Sequence, residues 1–185
     1  MIPPFDITEL SGLMHEEDAA AKVFASLQTG INDLVGNKLM TASIYDLENM
    51  RSRRVFSEDL EAYPVGNFKR LDRNLFFDTV IAKKQIFSST GIEQIAKVFF
   101  DWEKIQALGF ESNLNLPAIA NGEVIGTVNL LNVKGHFTPE RVKLARAWQP
   151  VATLAFLLLH MKDIETATFH SGLSVDGPKE MEGAA

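Results

Sequence analysis

Asn113, Asn115 and Asn129 stand inside runs that read as strands. Asparagine is uncommon there, because its amide offers the backbone a rival hydrogen-bond partner. Turned outward, such a residue is solvated; turned inward, it must find partners in the backbone or in a ligand. A second polar group comes from the alternating run Leu39 to Tyr45, which sets Thr41, Ser43 and Tyr45 opposite Met40, Ala42 and Ile44. Aromatic residues crowd the middle of the chain at Phe56, Tyr63, Phe76, Phe77, Phe87, Phe99, Phe100 and Trp102. Rings of this kind are core more often than ligand cage. A small-molecule pocket asks for no more than a concave apolar wall with a few placed polar groups.

Catalysis asks for more, and the sequence does not supply it. There is no glycine-rich phosphate loop, no paired-histidine zinc helix and no Gly-x-Ser-x-Gly elbow. The four histidines, His15, His136, His160 and His170, share no ligand-like spacing. His160 suits the C-terminal end of a helix, while His136 falls in a loop beside the expected cleft. Asp101 reads as a helix cap and Asp72 as a helix start. The chain has no cysteine, which removes disulfides, thiolate metal sites, iron–sulfur clusters and cysteine nucleophiles together. No catalytic residue, metal ligand or cofactor is assigned, and the expectation is that the chain is not an enzyme.

Charge narrows the partners. Over 185 residues, 24 acids against 18 bases give a net charge of −6, the wrong sign for binding through nucleic-acid phosphates. The basic cluster Arg51, Arg53 and Arg54, flanked by Glu48 and Glu58, reads as a solvated loop. Met1 to Glu9 has no basic patch followed by an apolar run, so no secretory signal is expected. The most apolar stretch, Val151 to Met161, has 11 residues against the roughly 18 of a membrane span, and reads as a buried helix. The expectations are a cytoplasmic protein with no membrane and no nucleic-acid partner.

The elements that must position these residues follow from periodicity. Val23, Phe24, Leu27, Ile31, Leu34 and Val35 recur at helical spacing and Gly36 stops the helix. Strands follow at Leu39–Tyr45 and Arg53–Ser57, then an irregular Tyr63-Pro64-Val65-Gly66 stretch long enough to cover something. Short helices surround a strand-like run at Gln85–Ser88. Phe110–Ala120 and Glu123–Val133 flank Asn121-Gly122, the pair suited to a type I′ hairpin turn. Thr138-Pro139-Glu140 opens a closing helix expected to run to about Asp163. Strands in a meander with helices beside them argue α+β with a mostly antiparallel sheet. The division expected is an N-terminal extension at 1–17, one domain at 18–165 and a loosely ordered tail at 166–185.

The run from Leu108 to Pro117 (LGFESNLNLP), then Asn121 to Asn132 (NGEVIGTVNLLN) and Phe137-Thr138-Pro139-Glu140 resembles the C-terminal half of GAF domains. Ser57, the Tyr63-Pro64-Val65-Gly66 stretch and the Phe100-Asp101 pair resemble a group of small stand-alone bacterial GAF proteins. The resemblance covers roughly Ala20 to His160. It implies a PAS-related antiparallel sheet of about six strands, with the first and last helices on one face and short helices and loops on the other enclosing a pocket. It also implies a homodimer through the terminal helices and a role as a sensor or regulatory signal-transduction domain for a small molecule. Bilin attachment and methionine sulfoxide reduction in that family use cysteines, which this chain lacks. Asn74-Leu75-Phe76-Phe77-Asp78 echoes the cyclic-nucleotide pattern without its lysine and acidic pair, and haem would need His136 as axial ligand. The candidate ligand-binding residues are Thr41, Ser43, Tyr45, Phe56, Tyr63, Phe77, Phe87, Phe100, Asp101, Ser112, Asn115, Asn129 and His136. They would line a pocket of roughly 300 Å³ or more. The competing expectation is a degenerate GAF scaffold, an interaction module whose pocket its own phenylalanines fill.

Overall fold

The computed structural model describes residues 3–66 and 68–161. Helices α1 (Ile7–Met14) and α2 (Ala19–Leu34) open it, followed by β1 (Leu39–Asp46), β2 (Arg51–Ser57) and β3 (Phe68–Arg70). A short π-helix (Phe77–Ala82) leads to β4 (Phe87–Ser89), then α3 (Ile92–Ala96) and α4 (Trp102–Ala107). The hairpin β5 (Ser112–Ala120) and β6 (Glu123–Asn132) comes next, and α5 (Pro139–Arg146) and α6 (Gln149–Met161) close the fold. The six strands form one antiparallel sheet in the order β3-β2-β1-β6-β5-β4. This is the α+β arrangement expected. The hairpin turns on Asn121 and Gly122 with φ of 48° and 75°, the positive pair that a type I′ turn requires.

Alternation sorts the sheet into two faces. Met40, Ala42, Leu114, Leu116, Val128 and Leu130 are all 0% exposed and meet Val23, Leu27 and Ile31 of α2 and Val151, Ala155 and Phe156 of α6. The other face carries Thr41, Ser43, Asn113, Asn115, Thr127 and Asn129, which pair across the strands as Thr41 with Asn129 and Asn115 with Asn129. Over it lie two smaller apolar clusters, one built on Phe76, Val80 and Phe87, the other on Ile92, Ile95 and Ile105. Within the expected N-terminal extension, α1 packs on α2, with Leu10 2% exposed, and the Phe5 ring lies 5.7 Å from Trp148. The expected tail lies outside the described residues.

Three elements differ from expectation. The closing helix is two, α5 and α6, bent by 46°. Pro150 has no N–H to offer the carbonyl of Arg146, so the ladder breaks before it, and Ala147 and Trp148 bond three residues back instead of four. The strand β3 has no counterpart among the expected elements and follows the irregular Tyr63–Gly66 stretch. The arginine cluster is not a solvated loop: it lies in β2, and Arg54 is half-buried. Among the described residues no single helix is long and apolar enough to cross a membrane.

Candidate functional site

On the sheet face away from the terminal helices the polar side chains form one connected line. Tyr45 Oη and Thr127 Oγ1 are 2.7 Å apart, and Thr127 Oγ1 donates to Asn129 Oδ1 at 2.9 Å. The same Oδ1 accepts from Asn115 Nδ2 at 2.8 Å, and Asn115 Oδ1 accepts from Asn113 Nδ2 at 2.6 Å. Ser89 Oγ closes the line on Asn113 Oδ1. Asn129 Nδ2 turns towards Ser43 Oγ at 3.3 Å and Thr41 Oγ1 at 3.4 Å. The asparagines therefore point inward, and their first partners are one another. A buried network of this kind is worth having when its members are satisfied, and it leaves hydroxyl and amide edges along a cavity.

That cavity measures about 140 Å³. Thr41, Ser43, Tyr45, Asn113, Asn115 and Asn129 form its floor, Leu71, Phe76, Val98, Phe99 and Phe100 form an apolar wall, and Arg54, Tyr63, Lys69 and Asp101 stand at its mouth. A second cavity of about 250 Å³ continues outward past Arg54, Tyr63, Lys69, Phe100, Asp101 and Lys104. The inner space alone is smaller than the sequence led us to expect. Phe76, Phe87 and Phe99 account for this, packing with ring centroids 5.4–6.3 Å apart.

The mouth is held by charge. Lys69 Nζ bonds Asp101 Oδ2 at 2.5 Å. Asp101 sits at the head of α4 but its side chain caps nothing, contrary to the sequence reading, because the ammonium of Lys69 offers a stronger partner than a backbone N–H. Asp72 likewise does not start a helix. It pairs with Arg70 at 2.7 Å, and Asn74 takes the capping place, accepting from Phe77 N at 3.2 Å and donating to Val98 O at 2.7 Å. Tyr63 is 4% exposed. Arg54 Cζ and Lys104 Nζ lie 4.9 and 4.8 Å from the centre of its ring, and Lys104 also donates to Ala62 O. Arg54 Nη1 donates to Pro64 O at 3.0 Å. Burial lifts the Tyr63 phenol to about 12, with the Asp101 charge adding to the rise and Arg54 opposing it. Burial also lowers the Arg54 guanidinium from its ordinary value, and it raises the Tyr45 phenol against the opposing effect of its hydrogen bond with Thr127.

Of the residues singled out from sequence, Thr41, Ser43, Tyr45, Tyr63, Phe100, Asp101, Asn115 and Asn129 line the cavity. Five do not. Phe56 faces the terminal helices, stacked on Phe24 at 5.4 Å. Phe77 is half-buried under Arg73, 5.0 Å from its ring. Phe87 supports the wall from behind. Ser112 donates to Val133 O at 2.6 Å. His136 lies near Val35 O at 3.0 Å and Arg141 Nη1 at 3.3 Å, away from the cavity, so it is no candidate for a haem ligand there. Sequence reasoning missed Arg54, Lys69, Lys104 and Asn74. Arg54 carried one signal, a charge inside an expected strand; the others reach the site through tertiary contacts.

No family model matches this sequence, and no curated protein matches it. Solved structures do. The GAF domain of a two-component sensor histidine kinase from Bacillus halodurans superposes with a TM-score of 0.64 at 8% identity, covering 77% of this chain and 97% of its own. The GAF domain/HD domain protein from Geobacter sulfurreducens gives 0.61 at 16% identity, covering 84% and 98%. A free methionine-R-sulfoxide reductase from Neisseria meningitidis, solved with its substrate, gives 0.59 at 11% identity, covering 83% and 86%. The last corrects the expectation that this chain is not an enzyme: the fold it adopts also carries catalysis, so the fold does not separate a sensor from an enzyme. At identities of 8–16% the likeness is one of architecture, and the architecture of this chain is that of a GAF domain.

Proposed function

We propose that the chain is a regulatory domain that holds a small molecule non-covalently between the polar sheet face and the loops around Tyr63 and Phe100. The observation that carries this reading is the line of hydrogen-bonded side chains from Tyr45 to Ser89 facing an open, aromatic-walled cavity. A satisfied polar network helps to fix a unique core, and where it also lines a cavity its hydroxyl and amide edges can orient a ligand. The kinship in fold with a sensor kinase's GAF domain supports a sensing role. The competing reading, a scaffold whose pocket is filled, has Phe76, Phe87 and Phe99 in its favour. Against it stands the space they leave open.

Ligand would order residues 57–66 and α4 over the cavity and so change the surface offered to a partner. The partner favoured is a second copy of the chain. Leu154, Leu157, Leu158 and Met161 share one stripe of α6, with Leu157 44% and Met161 63% exposed, and an exposed apolar strip at this spacing suits helix pairing.

A thermal-shift screen of nucleotides, amino acids and purine and pyrimidine metabolites tests the reading, with a native mass spectrum for mass and co-purified ligand. A true ligand at a hundred times its Kd adds about 2.7 kcal/mol of stability. A screen in which nothing raises the melting temperature overturns the pocket, and a strictly monomeric spectrum overturns the dimer.

A further inference from the structure

We propose that Arg54 and Tyr63 form an oxyanion subsite at the mouth of the cavity, so that the ligand is a small carboxylic acid with an apolar body. This rests on the reading of the cavity as a ligand pocket and adds the ligand's charge and polarity.

Two observations meet at these residues. The first is unmet hydrogen bonding. With Arg54 Nη1 given to Pro64 O, Arg54 Nε is buried without a partner, and so is Tyr63 Oη. Buried polar groups in native structures are nearly always paired, and an orphan asks for an explanation. The guanidinium can only donate. The phenol, held up at about 12 by burial, keeps its proton at neutral pH and can donate too. Both residues line the inner and the outer cavity, and two unpartnered donors on such residues call for an acceptor. The second observation is charge. The outer cavity is lined by Arg54, Lys69 and Lys104 against Asp101 alone. Asp101 is already engaged by Lys69, which leaves two cations uncompensated in a chain whose net charge is −6.

A carboxylate answers both. Its two oxygens only accept, and they match the edge of an arginine fork. A neutral carbonyl would satisfy one donor and leave the charge uncompensated. A phosphate dianion brings a second charge and a third acceptor oxygen where the unmet donors are two, Arg54 Nε and Tyr63 Oη. Behind the subsite the inner cavity of about 140 Å³ is close to the roughly 150 Å³ that holds a benzene ring in a dry engineered cavity. Leu71, Phe76, Val98 and Phe99 supply the apolar contact along one wall, opposite the polar floor that carries Thr41, Ser43, Asn115 and Asn129. A carboxylate bound here would also tie β2 to the loop that carries Tyr63, joining recognition to loop ordering.

The test uses three probes with one benzyl body, phenylacetate, phenylacetamide and benzylphosphonate, titrated calorimetrically into the full chain and into R54Q, R54K and Y63F. Phenylacetate is expected to bind at least about tenfold more tightly than the amide. R54Q is expected to lose about tenfold or more and Y63F about three- to tenfold, with the wild-type circular dichroism retained. R54K keeps the charge without the fork and is expected to weaken phenylacetate as well, so it carries the test if R54Q does not fold. Equal binding of acid and amide, tighter binding of the phosphonate, or undiminished binding of phenylacetate by the arginine variants overturns the subsite. If none of the three probes binds while neutral members of the metabolite screen do, the subsite is wrong and the pocket stands; silence in both overturns both.

Discussion

Asn115 and Asn129 face each other across β5 and β6, and Nδ2 of the first donates to Oδ1 of the second at 2.8 Å. That one oxygen also accepts from Thr127 at 2.9 Å, which makes Asn129 the junction between the tyrosine end of the polar line and the asparagine end. The pair forms part of the cavity floor, so a change there tests stability and binding together.

Asn129→Leu keeps the heavy-atom count and branching of the side chain and removes both acceptor and donor. Asn115 Nδ2 is left buried without its partner, whereas Thr127 retains Tyr45. The expected loss is about 1–3 kcal/mol, seen in urea unfolding as a lower midpoint at unchanged m. A variant as stable as wild type would mean that water replaces the amide at no cost.

Gly30 and Gly12 separate packing from propensity. A Cβ on Gly30 of α2 would lie 2.0 Å from Trp148 Cη2, while one on Gly12 of α1 meets nothing within 4 Å. Gly30→Ala is expected to cost about 1–3 kcal/mol by pushing the indole off α2. Gly12→Ala is expected to stabilise by about 0.5–1 kcal/mol, since alanine loses less backbone freedom in a helix. Thermal melts of the two variants with opposite shifts would confirm the contrast.

The chain has two tyrosines, and burial raises both phenols, Tyr63 to about 12 from a reference of 10.0. A group raised on folding contributes stability that is complete below its unfolded value and is lost as pH climbs through its folded one. Stability should therefore fall between pH 10 and 12, and the native protein should show no tyrosinate absorbance at 295 nm at pH 10. In Y63F that fall should be shallower. Because the Tyr63 hydroxyl has no partner, the same variant should be no less stable than wild type at pH 7.

Glu58 anchors the segment that leads to Tyr63. Its carboxylate accepts from Met40 N, from Asn37 Nδ2 at 3.1 Å and from Gln28 Nε2, one donor on β1, one in the loop before it and one on α2. Glu58→Ala is expected to cost about 1–2 kcal/mol. Its mark should be faster amide exchange across residues 59–66 with exchange in β5 and β6 unchanged, because local opening is set by local contacts. Uniform acceleration over the whole sheet would assign Glu58 to global stability instead.

Much of the architecture was legible because it rests on short-range rules. The Asn121-Gly122 turn, the alternation of Thr41, Ser43 and Asn115 with apolar neighbours, and the helical spacing of Val23 to Val35 each act within a few residues. The break before Pro150 was legible in principle and lies in the same class, a missing N–H. The site divided differently. Thr41, Ser43, Tyr45, Asn115 and Asn129 on strands β1, β5 and β6 line the cavity as alternation placed them, whereas Ser112, out of phase with Asn113 and Asn115 on β5, does not. Those that failed, Phe56 and His136 among them, needed knowledge of the fold.

The sequence by itself determined the layered α+β fold and which face of the central strands is polar, since a period of two residues carries that information along the chain. Which charges meet at the mouth of the cavity was decided by tertiary structure alone. The register between β1 and β2 shifts after Ala42, which pairs with Phe56, so that Ser43 pairs with Arg54 and Val55 is passed over. One extra residue in a strand reverses the faces on either side of it. It turns Phe56 onto the terminal helices and Arg54 into the cavity, and no local pattern announces it, because the bulge is set by the neighbouring strand.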